Sequence, residues 1–183
     1  MAENVVITDM SSFEAGMDGW ANVGNRFFFR KTGSTSNLGT GPPSAADGSY
    51  YVYAETTGNY NRNFELEKTF QPGQTLYGIA FQYHMYGATM GSVVLESSAD
   101  GTSWLNLWSK SGNLGNQWLQ AAVYADRGQK MLRYRCVRSA AGLHGTDTSY
   151  IIATLAFLSS PGTRQDQATL VTLPLTTFES GIV

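Results

Sequence analysis

The stretch FQYHMYGATMGSVVLESSADGTSW, residues 81–104, decides how the chain is read. With the two residues before it, Ile79, Phe81, Tyr83 and Met85 fall on one side and Ala80, Gln82 and His84 on the other. That period of two belongs to a half-buried strand rather than a helix. GSVVLESS (91–98) reads as a second strand, ADGTS (99–103) as turn chemistry, and WLNLWS (104–109) as a third strand. The same stretch gathers a histidine, two methionines, aromatics and the carboxylate of Glu96, which raises the choice between an active site and a core wall. A catalytic base needs a nucleophile or carboxylate held by a third group, and no local motif supplies one. His84 is therefore expected to be a packed wall histidine.

Working outward, the same alternation recurs. Leu132, Tyr134 and Cys136 alternate with Arg133 and Arg135, and Leu119, Ala121 and Val123 with Trp118, Gln120 and Tyr124. Further strands are expected at NVVIT (4–8), RFFFR (26–30), YYVYAE (50–55), NFELEKTF (63–70), YIIATLAFL (150–158) and ATLVTL (168–173). The turns between them, such as TGNYN, QPGQ, SGNLGN, DRGQ and SSPGTRQD, are rich in Gly, Asn, Asp and Pro. No dozen residues keep a helical apolar stripe. About ten short strands at spacings of roughly 8–12 residues predict an all-β, antiparallel jelly-roll β-sandwich. The polar stretch 30–48 is the main irregular loop, expected to carry function or to cross from one sheet to the other.

Composition narrows the function. Net charge is −2 and no Lys/Arg-rich run appears, so nucleic acid is excluded as an expected partner. The longest late apolar run, IIATLAFL (151–158), is too short to insert in a membrane as a helix. A single cysteine, Cys136, forms no internal disulfide and sits at an inward strand position as a small buried hydrophobe. The opening MAENVVITDM has no apolar core of a signal peptide, so folding in a cytoplasm is expected.

Other chemistry-bearing residues have plain readings. His144 lies in a Gly-rich turn, and ligation of a metal by His84, His144 and Asp147 lacks any ligand spacing. Glu65 and Glu67 stand two apart, as a glycosidase pair could, yet a solvated strand edge looks the same. Trp104, Trp108, Trp118 and ten tyrosines suit either core or a binding surface. MSSFEAGM (10–17) returns at the end as LTTFESGI (175–182), a repeated strand-start motif that makes Phe178, Glu179 and Gly181 a candidate assembly arm.

FEAGMDGW, then RFFFRKTGSTSNLGTGPPSAADGSYYVYAE, then FQYHMYGATMGSVVLESSADGTSWLNLWSKSGNLGNQW resemble the MAM domain of meprin, A5 antigen and receptor phosphatase mu, from about Phe13 to Phe157. The residues carrying the resemblance are Phe13, Glu14, Trp20, Gly41, Pro42, Tyr83, His84, Met85, Tyr86, Gly87, Gly91, Trp108 and Trp118. The resemblance implies a jelly-roll sandwich without enzymatic activity, used for adhesion or assembly contacts. It divides the chain into an N-terminal arm or first strand (1–9), the sandwich (10–158) and a C-terminal arm (159–183). It implies no cofactor beyond a weak Ca²⁺ or Na⁺ site near Glu14 and Asp47. Since ATLAF (153–157) replaces the family's acidic pair, those two carboxylates fall short of the six to eight oxygens that Ca²⁺ takes. Without the animal members' cysteines, the chain is most similar to disulfide-free bacterial or phage modules. The expected role is a structural, decoration, fibre or tail-associated protein of a phage-like virion, folded in the host cytoplasm. Its expected partners are protein subunits, itself included. The alternative is a bacterial adhesion or glycan-binding module, extracellular or at the cell surface.

Overall fold

A computed structural model describes residues 6–56, 58–59, 62–72, 76, 78–126, 128–137 and 153–158, with backbone alone at 6–8 and 153–158. Among the described residues there are eleven strands and no helix: β1 (Val6–Ser11), β2 (Trp20–Val23), β3 (Phe28–Thr32), β4 (Tyr50–Ala54), β5 (Asn63–Thr69), β6 (Gly78–His84), β7 (Ser92–Ser98), β8 (Leu105–Ser111), β9 (Trp118–Tyr124), β10 (Met131–Val137) and β11 (Ala153–Leu158). A four-stranded sheet, β1-β11-β6-β9, faces a five-stranded sheet, β2-β5-β10-β7-β8. Every pairing is antiparallel, and the result is the expected jelly-roll sandwich.

The core follows from the alternation. Ile79, Phe81 and Tyr83 face inward from one sheet, and Phe64, Leu66, Val93, Leu95, Leu132, Tyr134 and Cys136 from the other. Five rings lock the layers: Phe81 lies 5.3 Å from Tyr134 and 4.9 Å from Trp108, Tyr83 lies 4.8 Å from Trp108, and Trp20 lies 5.5 Å from Tyr134. Such edge and tilted contacts add to area burial because ring edges and faces carry opposite partial charge. Burial pushes the Cys136 thiol well up, so it stays a neutral core group.

Four expectations change. Stretch 30–48 does not cross between sheets. β3 and β4 pair with each other as a separate two-stranded sheet, so residues 33–49 are the long connection of a hairpin whose Phe28, Val52 and Ala54 reach the core. β2 was not expected: it has only four residues, too few for a visible period. The boundary at residue 9 falls inside β1, which runs to Ser11. MSSFEAGM is therefore a strand end and the turn after it, rather than a strand start. Its second copy, with Phe178, Glu179 and Gly181, and the expected strand at 168–173 lie outside the described residues.

That turn is built around an unusual residue. Phe13 has φ 63°, costly for a bulky side chain, and is buried in the core while its N–H donates to Asp18 Oδ2 at 2.6 Å. Arg30 then donates to the carbonyls of Phe13 and Glu14. Glu14 returns the tie, its Oε1 accepting the N–H groups of Ser49 (2.8 Å) and Tyr50 (2.7 Å). Gly48 permits this approach, because a Cβ there would stand 2.6 Å from Glu14 Oε1.

β5 carries a charge at an inward position. β5 points Phe64, Leu66 and Lys68 toward the core, and Lys68 is buried. Its ammonium donates to Asp9 Oδ1 (2.7 Å), Asp18 O (2.9 Å) and Ser11 Oγ (3.2 Å), so each of its three protons has an acceptor. Ser11 Oγ also accepts from Trp20 Nε1 at 2.9 Å. Lys68→Met should keep the stem's packing yet strand Asp9, costing about 2–4 kcal/mol, somewhat below a fully buried pair because Asp9 keeps some exposure. The urea midpoint reads this out, and a loss under about 1 kcal/mol would mean that the knot is dispensable.

Candidate binding face

His84 lies on the side of β6 away from the Ile79–Phe81–Tyr83 row, yet it is fully buried. Trp118 stands directly across from it on β9, with ring centroids 5.6 Å apart, and Tyr86 closes from the other side at 6.4 Å. The hairpin connection seals the spot: Trp118 Nε1 donates to Ser44 O at 3.1 Å, and Gly41 N to Tyr86 O at 3.1 Å. Nε2 of His84 lies 3.0 Å from Asn116 Oδ1, which makes it the protonated nitrogen of a neutral ring, while Nδ1 is buried without a partner. Burial lowers the His84 pKa against the pull of the Asn116 bond. The histidine is wall, beneath a cover that only the tertiary structure supplies.

The other sequence-derived residues separate cleanly. Phe13, Trp20, Tyr83 and Met85 are core, and Trp108 packs against it half-buried. Gly41, Pro42, Gly87 and Gly91 are buried backbone positions, Gly91 O accepting from Gly112 N. Glu14 is exposed and spent on the hairpin, and Asp47 is exposed. The Tyr50 and Ser49 amides hold the Glu14 carboxyl below the usual range. Among the described residues no three His, Cys, Asp or Glu side chains gather as metal ligands; His144 and Asp147 lie outside them.

A different constellation occupies the outer face of the five-stranded sheet. One transverse row crosses all five strands by register: Ala21, Glu67, Arg133, Glu96 and Asn106. Glu65 and Arg135 pair in the next row. Glu65 and Glu67 are thus on an interior strand, not on a solvated edge. Glu96, buried, takes Arg133 Nε on Oε2 at 2.8 Å and Arg135 Nη2 on Oε1 at 3.0 Å. Arg133 Nη1 lies 3.6 Å from Glu67 Oε1, and the Arg133 guanidinium lies 3.9 Å over the half-buried Trp104 ring. Burial works against the Glu96 charge, but the bonds from Arg135 and Arg133 win and hold its carboxyl below the ordinary value. Glu67 goes the other way, raised chiefly by burial.

Sequence reasoning noticed these residues singly and missed the row. The signal was there: carboxylates at 65 and 67 on one strand answer guanidiniums at 133 and 135 on another with the same spacing of two.

The profile of the family described as MAM domain, meprin/A5/mu, matches residues 11–151. MAM domain-containing glycosylphosphatidylinositol anchor protein 1 of Rattus norvegicus is 36% identical over 92 residues, 46% of this chain and 10% of that protein. Zonadhesin of Oryctolagus cuniculus is 27% identical over 124 residues, 58% of this chain and 5% of that protein. The chain thus spans about a tenth or less of these relatives' length. Its fold is similar to the K2 cleaved adhesin domain of Lys-gingipain, with TM-score 0.58 and 14% identity over 82% of this chain and 98% of that one. It is also similar to the C-terminal family 22 carbohydrate-binding module of Clostridium thermocellum Xyn10B, with TM-score 0.54 and 13% identity over 86% and 96%.

His84→Ala should cost about 1–3 kcal/mol, from the lost hydrogen bond and packing. Because the folded pKa lies below the unfolded one, the His84 contribution is complete above the unfolded value near 6.5 and falls away as pH drops below it. Melting temperature measured from pH 7.5 to 5 should lose part of its acid slope in His84→Asn; an unchanged slope would remove His84 as its source.

Proposed function

Because the chain belongs to the MAM domain family, we propose that it is a non-catalytic interaction module of a cell surface or extracellular space, holding a saccharide on the outer face of its five-stranded sheet. The observation that carries this reading is the row of Glu67, Arg133 and Glu96 beside Trp104. A sugar offers vicinal hydroxyls, each donor and acceptor, and an apolar C–H face. Planar carboxylate and guanidinium groups answer the first and an indole answers the second. Here the polar groups are already fixed against one another, so a ligand pays little for ordering them.

The same geometry favours binding over hydrolysis. Carboxylates on either side of a gap suit a glycosidase only if water can stand between them. The Arg133 guanidinium fills that position, contacting both Glu67 and Glu96.

The comparisons support the setting. Fold likeness to an adhesin domain and to a carbohydrate-binding module agrees with a binding sandwich, and a relative named as a glycosylphosphatidylinositol anchor protein agrees with a surface location. They favour the adhesion or glycan-binding alternative over the phage-like virion, to which none of these similar proteins points. Protein partners fit the same family as well.

Glycan-array and affinity-electrophoresis measurements test the reading. Trp104→Ala should weaken saccharide binding about tenfold or more, the scale of one lost stacking contact, with melting temperature nearly unchanged. An array with no retained saccharide, or binding indifferent to Trp104 and Arg133, would overturn it. With Glu14 engaged by backbone amides, EDTA should leave the melting temperature unchanged; a drop of several degrees would reveal a cation site built from other oxygens.

A further inference from the structure

Three Asp-Gly pairs occur in the chain, Asp18–Gly19, Asp47–Gly48 and Asp100–Gly101. Such pairs are chemically labile, because a glycine nitrogen, with no side chain in the way, reaches the carboxyl carbon of the aspartate before it. The fold sets one of the three apart. Asp18 Oδ2 accepts from Phe13 N at 2.6 Å. Asp100 Oδ1 accepts from Thr102 N and Ser103 N, both at 2.8 Å, and from Ser98 Oγ at 3.1 Å. Asp47 is exposed together with Gly48 and Ser49, and among the described residues its carboxylate has no hydrogen-bond partner.

Glycine at 48 is also required there. Its φ is 60°, and a Cβ would stand 2.6 Å from Glu14 Oε1, the atom that accepts Ser49 N and Tyr50 N. The tie between the hairpin and the turn around Phe13 thus demands the residue that makes Asp47 reactive.

We propose that Asp47 is a site of spontaneous covalent modification, converting to isoaspartate and releasing the Glu14 tie. Gly48 N attacks Asp47 Cγ; an N–Cγ bond forms, the Cγ–OH bond breaks, and the hydroxyl leaves with the amide proton as water. Water then adds to the α-carbonyl of the resulting succinimide and breaks its bond to nitrogen. No atom is gained or lost overall, and neither oxidant nor reductant takes part. The main chain now runs through Cβ and Cγ, one atom longer, with the α-carboxylate left as a branch. That extra length falls directly before the Ser49 and Tyr50 amides that Glu14 grips. The modification is independent of the saccharide reading, since no residue of the five-stranded sheet takes part in it.

The test holds the folded chain at neutral pH and body temperature for weeks, then assigns each pair by peptide mapping with electron-transfer fragmentation, which separates isoaspartate from aspartate of the same mass. Isoaspartate at 47 should accumulate about tenfold or more faster than at 18 or 100, because those carboxylates must first give up their hydrogen bonds. Unfolded in urea, the three pairs should react at similar rates, which assigns the difference to the fold. The aged chain should show a second melting transition several degrees lower. Asp47→Glu should not, because a ring with one more carbon closes far more slowly. Aged Glu14→Ala should carry isoaspartate at 47 without a further drop, its tie being already absent. A folded chain in which position 47 reacts no faster than 18 and 100, or isoaspartate at 47 that leaves the melting temperature where it was, would overturn the proposal. So would an equal drop in aged Glu14→Ala, which would place the damage elsewhere than at the tie.

Discussion

The ammonium of Lys68 ties β5 to the end of β1 and to the turn after it, and through that turn to the β3–β4 hairpin. An amine at an inward strand position is tolerable only if all three protons find acceptors, because desolvating an unpaired charge costs several kcal/mol. The three acceptors come from two places: Asp9 and Ser11 on β1 of the four-stranded sheet, and the Asp18 carbonyl in the turn that follows. Satisfying Lys68 therefore fixes the end of β1 over β5 and the shape of the 12–19 turn together. With that turn set, Phe13 enters the core at a positive φ, and Arg30 and Glu14 exchange bonds between the turn and the hairpin. The hairpin in turn lays Tyr51 and its long connection over Trp118, and Trp118 over His84.

Inside the sandwich, stability and outward chemistry are separated by the strand period. Tyr134 and Cys136 of β10 belong to the core, while their neighbours Arg133 and Arg135 reach Glu96 on the opposite side. The outer face of the five-stranded sheet can thus vary without a change in the residues that fill the core beneath it. Its ion pairs organise more than they stabilise, since paired charges near a surface repay little beyond their own desolvation. What they provide is a set of planar groups held in one orientation beside Trp104.

Two surfaces follow from this arrangement, with different physical character. The five-stranded face is polar, internally charge-paired and edged by one indole. The hairpin face is aromatic, carrying Phe29 and Tyr53. The family to which the chain belongs recurs inside much longer chains, of which this one spans 10% and 5% in the two relatives named.

Sequence alone determined the all-β class, the inward positions of Phe81, Tyr83, Leu132, Tyr134 and Cys136, and the family. These rest on a local period of two and on residue order, and both are visible without knowing which strands become neighbours. It left β2 unseen because four residues carry too little period, and it left 30–48 open between a functional loop and a crossover because loop polarity says nothing of where the chain returns. The burial of His84 was legible, but not its cover, since Trp118, Tyr86 and residues 41–44 come from three distant segments. The same holds for the Lys68 knot, the Glu67–Arg133–Glu96 row and the Phe29–Tyr53 pair. Each needs a strand register, and register is settled by long-range burial and ion pairing between segments as distant in the chain as Glu67 and Arg133, which only the tertiary structure brings together.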